Sequence, residues 1–288
     1  WELKTVYRDT VFSAIVRKSD EELAEDKLAL TCFLASYFTR RYDEVRGKKF
    51  SAAKPFIVMG VLGVFLLAQP DLGSTVVLFV ITFGMLFIVG ANFWQFILLI
   101  GTGILLFVWL VLSASYRLKR FTGFLEPFKD PYGTGFQLTN SLMAFGRGEI
   151  SGEGLGNSIQ KLDYLPEAHT DFIMAIIGEE FGFIGILVVV ILLGLLIFRA
   201  MKIGRESLML EQRFRGFFAL GISFWIFFQG FVNLGMALGM LPTKGLTFPL
   251  VSYGGSSIII MSATVGILLR IDHENRLQRG GQARLRDD

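Results

Sequence analysis

The residues Tyr164-Leu-Pro-Glu-Ala-His-Thr-Asp171 run directly into an apolar segment at positions 172–198, and this junction decides both the fold and the candidate site. An apolar run of this length is typical of a membrane-spanning helix. A Glu, a His and an Asp stand within the five residues before it. Ionisable groups are unfavourable beside hydrocarbon, by about 2.5–3.5 kcal/mol for Asp at the centre of a spanning helix, so the cluster predicts a functional site. The alternative is structural, because Asp171 can also cap the helix that follows.

The composition predicts an integral membrane protein. Apolar residues make up 52% of the chain and charged residues only 18%, and mean hydropathy is +0.54, which a soluble domain of this length would not show. The net charge of +3 comes from short basic runs between apolar segments, a topology signal that argues against a nucleic-acid partner. A single cysteine, Cys32, excludes an internal disulfide and a cysteine metal cluster.

The pattern of apolar segments predicts an all-α integral membrane protein, a polytopic helical bundle with a long extracytoplasmic loop. A polar N-terminal segment at 1–26 precedes membrane helices within 27–112 and a long periplasmic loop at 113–171. Further membrane helices are expected within 172–271, followed by a mobile cytoplasmic tail at 272–288. The individual spans are predicted at 56–68, 72–89, 93–112, 172–198, 217–241 and 250–269.

Basic residues predict the orientation. Residues 40–54, the connector 199–215 and the tail from Arg270 are rich in Lys and Arg, and alternation through the spans places them on one side, the cytoplasm. The loops 113–171 and 242–249 then face outward. The first of these loops is itself basic, carrying Arg117, Lys119, Arg120, Lys129, Arg147 and Lys161. These charges are either tolerated, as long loops allow, or they attract an anion such as the phosphate of a lipid headgroup.

Helical spacing places positions 171, 175, 178, 182 and 185 on one face, with Gly178 and Gly182 permitting close approach of another backbone. Glu179 and Glu180 are expected in a structural polar network, since isolated carboxylates are costly there. Inside a later span, Gln229 and Asn233 predict interhelical hydrogen bonds.

Six motifs, spread in order over residues 27–276, resemble the FtsW/RodA/SpoVE family, also called the SEDS proteins. They are Ala68-Gln-Pro-Asp-Leu-Gly73, Ser141-Leu-Met-Ala-Phe-Gly-Arg-Gly148, Gly154-Leu-Gly-Asn157, Leu165-Pro-Glu-Ala-His-Thr-Asp-Phe172, Gly239-Met-Leu-Pro-Thr-Lys-Gly245 and Pro249-Leu-Val-Ser-Tyr-Gly-Gly-Ser256. Ala168 and the Thr243-Lys244-Gly245 run favour the cell-division branch over the elongation branch. The first 26 residues do not resemble the family's early helices, so a chain lacking N-terminal spans is expected.

The resemblance implies a peptidoglycan glycosyltransferase that polymerises lipid II at the outer face of the bacterial inner membrane during septal wall synthesis. It implies a class B penicillin-binding transpeptidase and other divisome membrane proteins as partners. The family's essential aspartate falls on Asp171. The residues expected to bind substrate are Arg147, Lys161, Glu167, His169, Lys244, Ser252 and Ser256. No covalently bound cofactor is expected, and a divalent cation, Mg²⁺ or Mn²⁺, is a candidate ligand of Asp171.

The residue chemistry agrees with this implication. Glycan extension needs a base to deprotonate a sugar hydroxyl, and one well-placed carboxylate suffices. The leaving group is a pyrophosphate, which needs cations rather than a strong acid. Two competing interpretations are a lipid II flippase or other transporter, and a non-catalytic division scaffold. Transporters place their polar groups near the bilayer midplane, whereas this cluster stands at the outer boundary.

Overall fold

The computed structural model describes residues 23–47, 55, 57–60, 72–90, 93–112, 123–133, 135–242 and 245–287. Most of the predicted span 56–68, the basic residues Arg117, Lys119 and Arg120, and the candidate site residue Lys244 lie outside the described residues.

The described part of the chain is helical, without β-strands. In chain order the helices are α1 (Leu23–Arg40), α2 (Tyr42–Gly47), α3 (Leu72–Val89), α4 (Phe93–Leu112), α5 (Phe136–Gly148), α6 (Ile173–Met209), α7 (Arg213–Ala237) and α8 (Gly255–Asp287). A 3₁₀ turn at Pro127–Lys129 precedes α5, and a π-helical turn at Gln160–Tyr164 follows it. The bounds of α3 and α4 coincide with two of the predicted apolar segments, 72–89 and 93–112.

Three of the described helices, α6, α7 and α8, are long and apolar enough to cross a membrane. Large apolar side chains on α6 are exposed over much of its length, among them Leu192 and Phe198. Such a surface has no favourable place in water, so it faces lipid. The chain is a polytopic α-helical membrane protein, as its composition predicts.

Several predicted boundaries differ from the structure. Helix α6 continues to Met209, through the basic residues that follow position 198. Helix α7 covers Arg213–Ala237 rather than 217–241, because its first turn includes residues of the connector. The tail predicted to be mobile is helical, since α8 continues as one helix from Gly255 to Asp287.

Tertiary contacts explain why the tail is helical. Asp272, on α8, is mostly buried and accepts hydrogen bonds from Arg199 at 3.3 Å and Arg276 at 2.7 Å. The buried Asn275 exchanges hydrogen bonds with Ser207, at 3.1 and 2.8 Å. A hydrophilic sequence alone predicts a solvated tail, but these partners on the 199–215 connector satisfy its polar groups and hold the helix.

The contacts divide the chain into two compact units, and the unit boundaries fall within α4, α6 and α7. The first unit comprises Trp1–Phe96, Leu195–Phe228 and Gly255–Asp288, and in it α1 packs against α3 and α8. Its core includes the fully buried Phe38 and Trp225. The second unit comprises Ile97–Gly194 and Gln229–Gly254, and it contains the junction at Asp171.

The second unit folds much of the long extracytoplasmic loop into a compact structure. Helix α5 lies within that loop, where the turn signals alone predict no helix. A core cluster joins α5, the loop, the start of α6 and the end of α7, and it consists of Ala144, Leu165, Ala168, Phe172, Ala175, Ile176 and Ala237. Small residues dominate this cluster, so the backbones approach closely and fix the loop against the first part of α6.

Candidate functional site

Helix α6 is interrupted at Gly182, whose φ of 64° and ψ of −162° are not helical. The loop at 149–154 fills the interruption: Phe183 and Ile184 donate backbone hydrogen bonds to the carbonyls of Glu149 and Ile150, at 3.0 and 3.2 Å. In return, two loop amides donate to the carbonyls of Glu179 and Glu180, both at 3.0 Å. A break in a spanning helix requires such partners, because lipid offers none. The predicted shared face from position 171 to 185 is therefore divided at Gly182.

Small residues permit this arrangement. A β-carbon at Gly148 would lie 1.8 Å from the carbonyl oxygen of Gly178, and one at Gly182 would lie 2.4 Å from that of Ile150. The prediction that Gly178 and Gly182 allow a close backbone approach is confirmed. The neighbours are α5 and the loop that follows it.

Glu179 is the centre of a buried polar network. Its side chain is fully buried, and its carboxylate accepts hydrogen bonds from Arg147 Nη1 at 3.0 Å and Ser158 Oγ at 2.5 Å. The backbone amides of Ile159 and Gln160 also donate to it, at 3.1 and 3.2 Å. A buried carboxylate needs this degree of compensation. The predicted structural role of Glu179 is thus confirmed.

Glu180 completes the network. Its Oε1 lies 2.6 Å from Lys161 Nζ, and Arg147 also lies 3.8 Å from Glu153. Arg147 and Lys161, which the sequence predicts to bind substrate, are therefore both engaged by carboxylates. In this arrangement the two cations fix the loop against α6.

Glu167, at the N-terminal end of the turn that carries Asp171, accepts the hydrogen bonds that hold this turn. Glu167 has a positive φ of 57°, and its carbonyl accepts hydrogen bonds from the amides of Thr170, Asp171 and Phe172, at 3.1–3.2 Å. The Glu167 side chain accepts a hydrogen bond from Thr170 Oγ1 at 2.6 Å. A non-glycine residue rarely adopts this backbone conformation, and such residues concentrate at functional sites.

The loop before α8 holds the same turn from the other side. Tyr253 donates its amide hydrogen bond to the carbonyl of His169 at 2.9 Å, and Ser252 Oγ donates to the carbonyl of Thr170 at 2.5 Å. From within α7, Asn233 Nδ2 donates to the carbonyls of Asp171, at 2.8 Å, and Leu246, at 2.5 Å. Three successive carbonyls of the turn thus accept hydrogen bonds from outside it.

The half-buried carboxylate of Asp171 faces this loop. A β-carbon placed on Gly245 would lie 3.3 Å from Asp171 Oδ2, the one contact within 4 Å that the described residues give it. Gly245 is exposed, so the carboxylate stands beside an open stretch of backbone. This position suits an acid that acts on a ligand entering from solvent.

The structure brings together some of the predicted site residues. Glu167, His169, Asp171 and Ser252 belong to one hydrogen-bonded turn and loop. Arg147 and Lys161 belong to the Glu179 network. Ser256 lies in the first turn of α8, in the first unit. The interhelical hydrogen bonds predicted for Gln229 and Asn233 are not the ones described here: Gln229 donates to the carbonyl of Thr247, and Asn233 to those of Asp171 and Leu246, all in loops. The signal in the sequence was two polar residues one turn apart inside a span, which does not say what they bind.

The surroundings of Asp171 offer few ligands for a metal ion. Among the described residues no group of three or more His, Cys, Asp or Glu side chains is placed to hold a metal ion. Asp171 alone does not form a divalent-cation site, which usually takes six or more oxygen ligands. Any divalent ion there would depend on oxygens of the substrate.

A family model described as "Cell cycle protein", covering the FtsW, RodA and SpoVE proteins, matches residues 22–277. The match covers most of the chain and includes every element of the site. The chain belongs to this family.

Curated relatives support membership of the same family. The chain is 84% identical over 262 residues to a protein of Pasteurella multocida named probable peptidoglycan glycosyltransferase FtsW, a match covering 91% of this chain and 66% of the relative. It is 87% identical, with the same coverage, to the protein of that name from Haemophilus influenzae. The Escherichia coli O157:H7 protein of that name is 57% identical, covering 88% of this chain and 61% of the relative. The chain therefore spans slightly less than two thirds of these relatives.

Solved structures share the fold. A chain from a peptidoglycan synthase complex that coordinates polymerization and crosslinking matches with a TM-score of 0.73 at 24% identity, covering 95% of this chain and 82% of that one. The rod shape determining protein RodA of Thermus thermophilus matches with a TM-score of 0.63 at 24% identity, covering 95% and 80%.

Proposed function

We propose that the chain is the site-bearing part of a lipid II polymerase, a peptidoglycan glycosyltransferase of the division branch of its family. Membership of the family and the names of its relatives support this proposal. The observation that carries it is the placement of Asp171, whose carboxylate faces an open glycine backbone while hydrogen bonds from α7 and the 245–253 loop hold its turn.

In the proposed reaction Asp171 is the general base. A sugar hydroxyl beside Gly245 loses its proton to the carboxylate, and its oxygen bonds to the anomeric carbon of a second lipid-linked sugar. The bond from that carbon to the pyrophosphate oxygen breaks, and the lipid pyrophosphate leaves with the bonding electrons. Lys244 is adjacent to Gly245 in sequence and is our candidate to balance the pyrophosphate charge. Arg147 and Lys161 would instead fix the loop, since Glu179 and Glu180 engage them.

The proposed setting is the bacterial inner membrane at the division site, with Asp171 on the outer side. The positive-inside pattern of the connector and the tail supports this orientation. A class B penicillin-binding transpeptidase is the proposed partner, supported by the shared fold with a chain of a peptidoglycan synthase complex.

The test is polymerisation of fluorescent lipid II by the reconstituted chain with its transpeptidase partner, read as a glycan ladder on a gel. Asp171→Asn keeps the side-chain size but removes the base, and we expect the rate to fall by 100-fold or more, within the roughly 10²–10⁴-fold range of general-base catalysis. Glu126→Gln, an exposed carboxylate in the outward loop, is the matched control. Thermal transitions in detergent verify folding.

Other outcomes contradict the proposal. Full polymerisation by Asp171→Asn would exclude Asp171 as the base. No glycan from the wild-type chain would favour the scaffold. Movement of lipid II between leaflets without glycan formation would favour the transporter.

A further inference from the structure

We propose that Asn233 is a positioning residue for Asp171, and that one buried amide fixes the gap between the candidate base and the loop at Gly245. The inference rests on the proposed function, because it assigns a role relative to the base. Asn233 lies in α7, its side chain is fully buried, and it donates to the backbone carbonyl of Asp171.

The amide connects the two sides of the gap. Asn233 Nδ2 carries two hydrogens, and the two acceptors are the carbonyl oxygens of Asp171, at 2.8 Å, and Leu246, at 2.5 Å. Leu246 follows Gly245, the residue beside the Asp171 carboxylate. A single planar group therefore spans from the acid to the loop. Because its geometry is rigid, it sets the distance between them.

The acceptor atom of the Asn233 amide, Oδ1, shows why the side chain takes this orientation. Within the described part of the chain, the buried Oδ1 of Asn233 has no hydrogen-bond partner. Leaving a buried acceptor unsatisfied costs about 1–3 kcal/mol. The reverse orientation would turn Oδ1 toward two carbonyl oxygens, which is electrostatically worse. The two carbonyls thus fix the orientation of the amide, and its acceptor oxygen is left without a partner among the described residues.

A neighbouring residue provides a comparison. Gln229 lies one turn earlier on α7, is equally buried, and donates through Nε2 to the carbonyl of Thr247 at 2.8 Å. It holds the same loop from the same helix. Its hydrogen bond holds the loop at Thr247, whereas that of Asn233 also reaches the carbonyl of Asp171, so we expect loss of the Gln229 amide to loosen the loop more than the acid.

The experiment compares Asn233→Leu with Gln229→Leu in the lipid II polymerisation assay. Each variant replaces a buried amide by an apolar side chain. Misplacing a catalytic group by about 1 Å can cost on the order of 100-fold in rate. For Asn233→Leu we expect kcat to fall at least tenfold with KM within about twofold of wild type, since the acid is displaced but the substrate surface is kept. For Gln229→Leu we expect kcat within about threefold of wild type.

Folding is measured separately by the thermal transition and by monodispersity in detergent. If Asn233→Leu does not fold, Asn233→Ser is used instead. Its hydroxyl keeps a donor in the site, but it ends one bond short of Asn233 Nδ2 and holds the two carbonyls less tightly, so its kcat is expected between those of wild type and Asp171→Asn.

Two results would overturn the inference. In the first, both leucine variants fold and lose kcat equally, which would make Asn233 a general structural residue. In the second, the Asn233 variants lose activity only through KM. Asp171→Asn separates this inference from the proposed function: if it stays active, the base assignment fails, and if it is inactive while Asn233→Leu matches Gln229→Leu, only the role of Asn233 fails.

Discussion

Asp171 and Gly245 face each other across a distance that one methyl group would change. Among the described residues, a β-carbon on Gly245 meets Asp171 Oδ2 at 3.3 Å, which is close enough to displace the carboxylate by a few tenths of an ångström. Position 245 is exposed, so the substitution places no strain on a core.

We therefore expect Gly245→Ala to fold normally and to lower the polymerisation rate about tenfold, because small displacements of a catalytic group are costly. The measurement is the steady-state rate with lipid II, together with the thermal transition. Gly146→Ala is the matched control, since a β-carbon at Gly146 meets nothing within 4 Å. An unchanged rate for Gly245→Ala would show that this face of the carboxylate is not used.

Single residues also show how far the sequence could predict the site. The position of Asp171 beside an apolar segment is a local pattern, and it predicts where the candidate site lies. The roles of Arg147 and Lys161 depend on Glu179 and Glu180, which follow them by up to 32 residues along the chain. Local spacing contains no signal for that pairing, because it arises only when the loop folds back onto α6.

The sequence predicts α3 and α4 more completely than α6, and the difference has a physical reason. Helices α3 and α4 follow their apolar segments, since lipid requires a span to end where polar residues begin. Helix α6 has an apolar segment of the same kind, yet it breaks at Gly182. The break exists because residues 149–154 supply hydrogen bonds there, a tertiary effect absent from the helix's own sequence.

The interruption of α6 at Gly182 can be tested by substituting that glycine. Gly182→Ala introduces a β-carbon at a φ of 64° and against the carbonyl of Ile150. We expect a loss of about 1–3 kcal/mol from the backbone conformation, with a further loss from the steric overlap, seen as a lower thermal transition in detergent. Gly194→Ala, further along α6 with nothing within 4 Å of its β-carbon, should leave the transition unchanged or raise it slightly. Equal transitions for both variants would contradict the account of the break.

At the scale of the whole molecule, the orientation in the membrane can be tested by labelling. In a Cys32→Ser background, Leu155→Cys and Leu277→Cys each place one thiol at an exposed position, 77% and 64% exposed respectively. By the positive-inside rule, a membrane-impermeant maleimide should label position 155 in intact spheroplasts and position 277 only after lysis. Labelling of position 277 before lysis would reverse the orientation and remove Asp171 from the outer face.

Under the proposed function and orientation, the interruption of α6 bears on how far Asp171 stands from the hydrocarbon. Residues 183–209 alone rise about 40 Å, more than the roughly 30 Å of hydrocarbon, so the bilayer can be crossed without the turns before Gly182. Residues 173–181 add about 14 Å, and Ala175 and Ile176 among them pack in the core cluster with α5 and the loop. A lipid-linked substrate would keep its pyrophosphate at the bilayer surface and its sugars beyond it. We expect residues 173–181 to raise Asp171 toward those sugars, so that such a substrate would meet the proposed base without leaving the membrane.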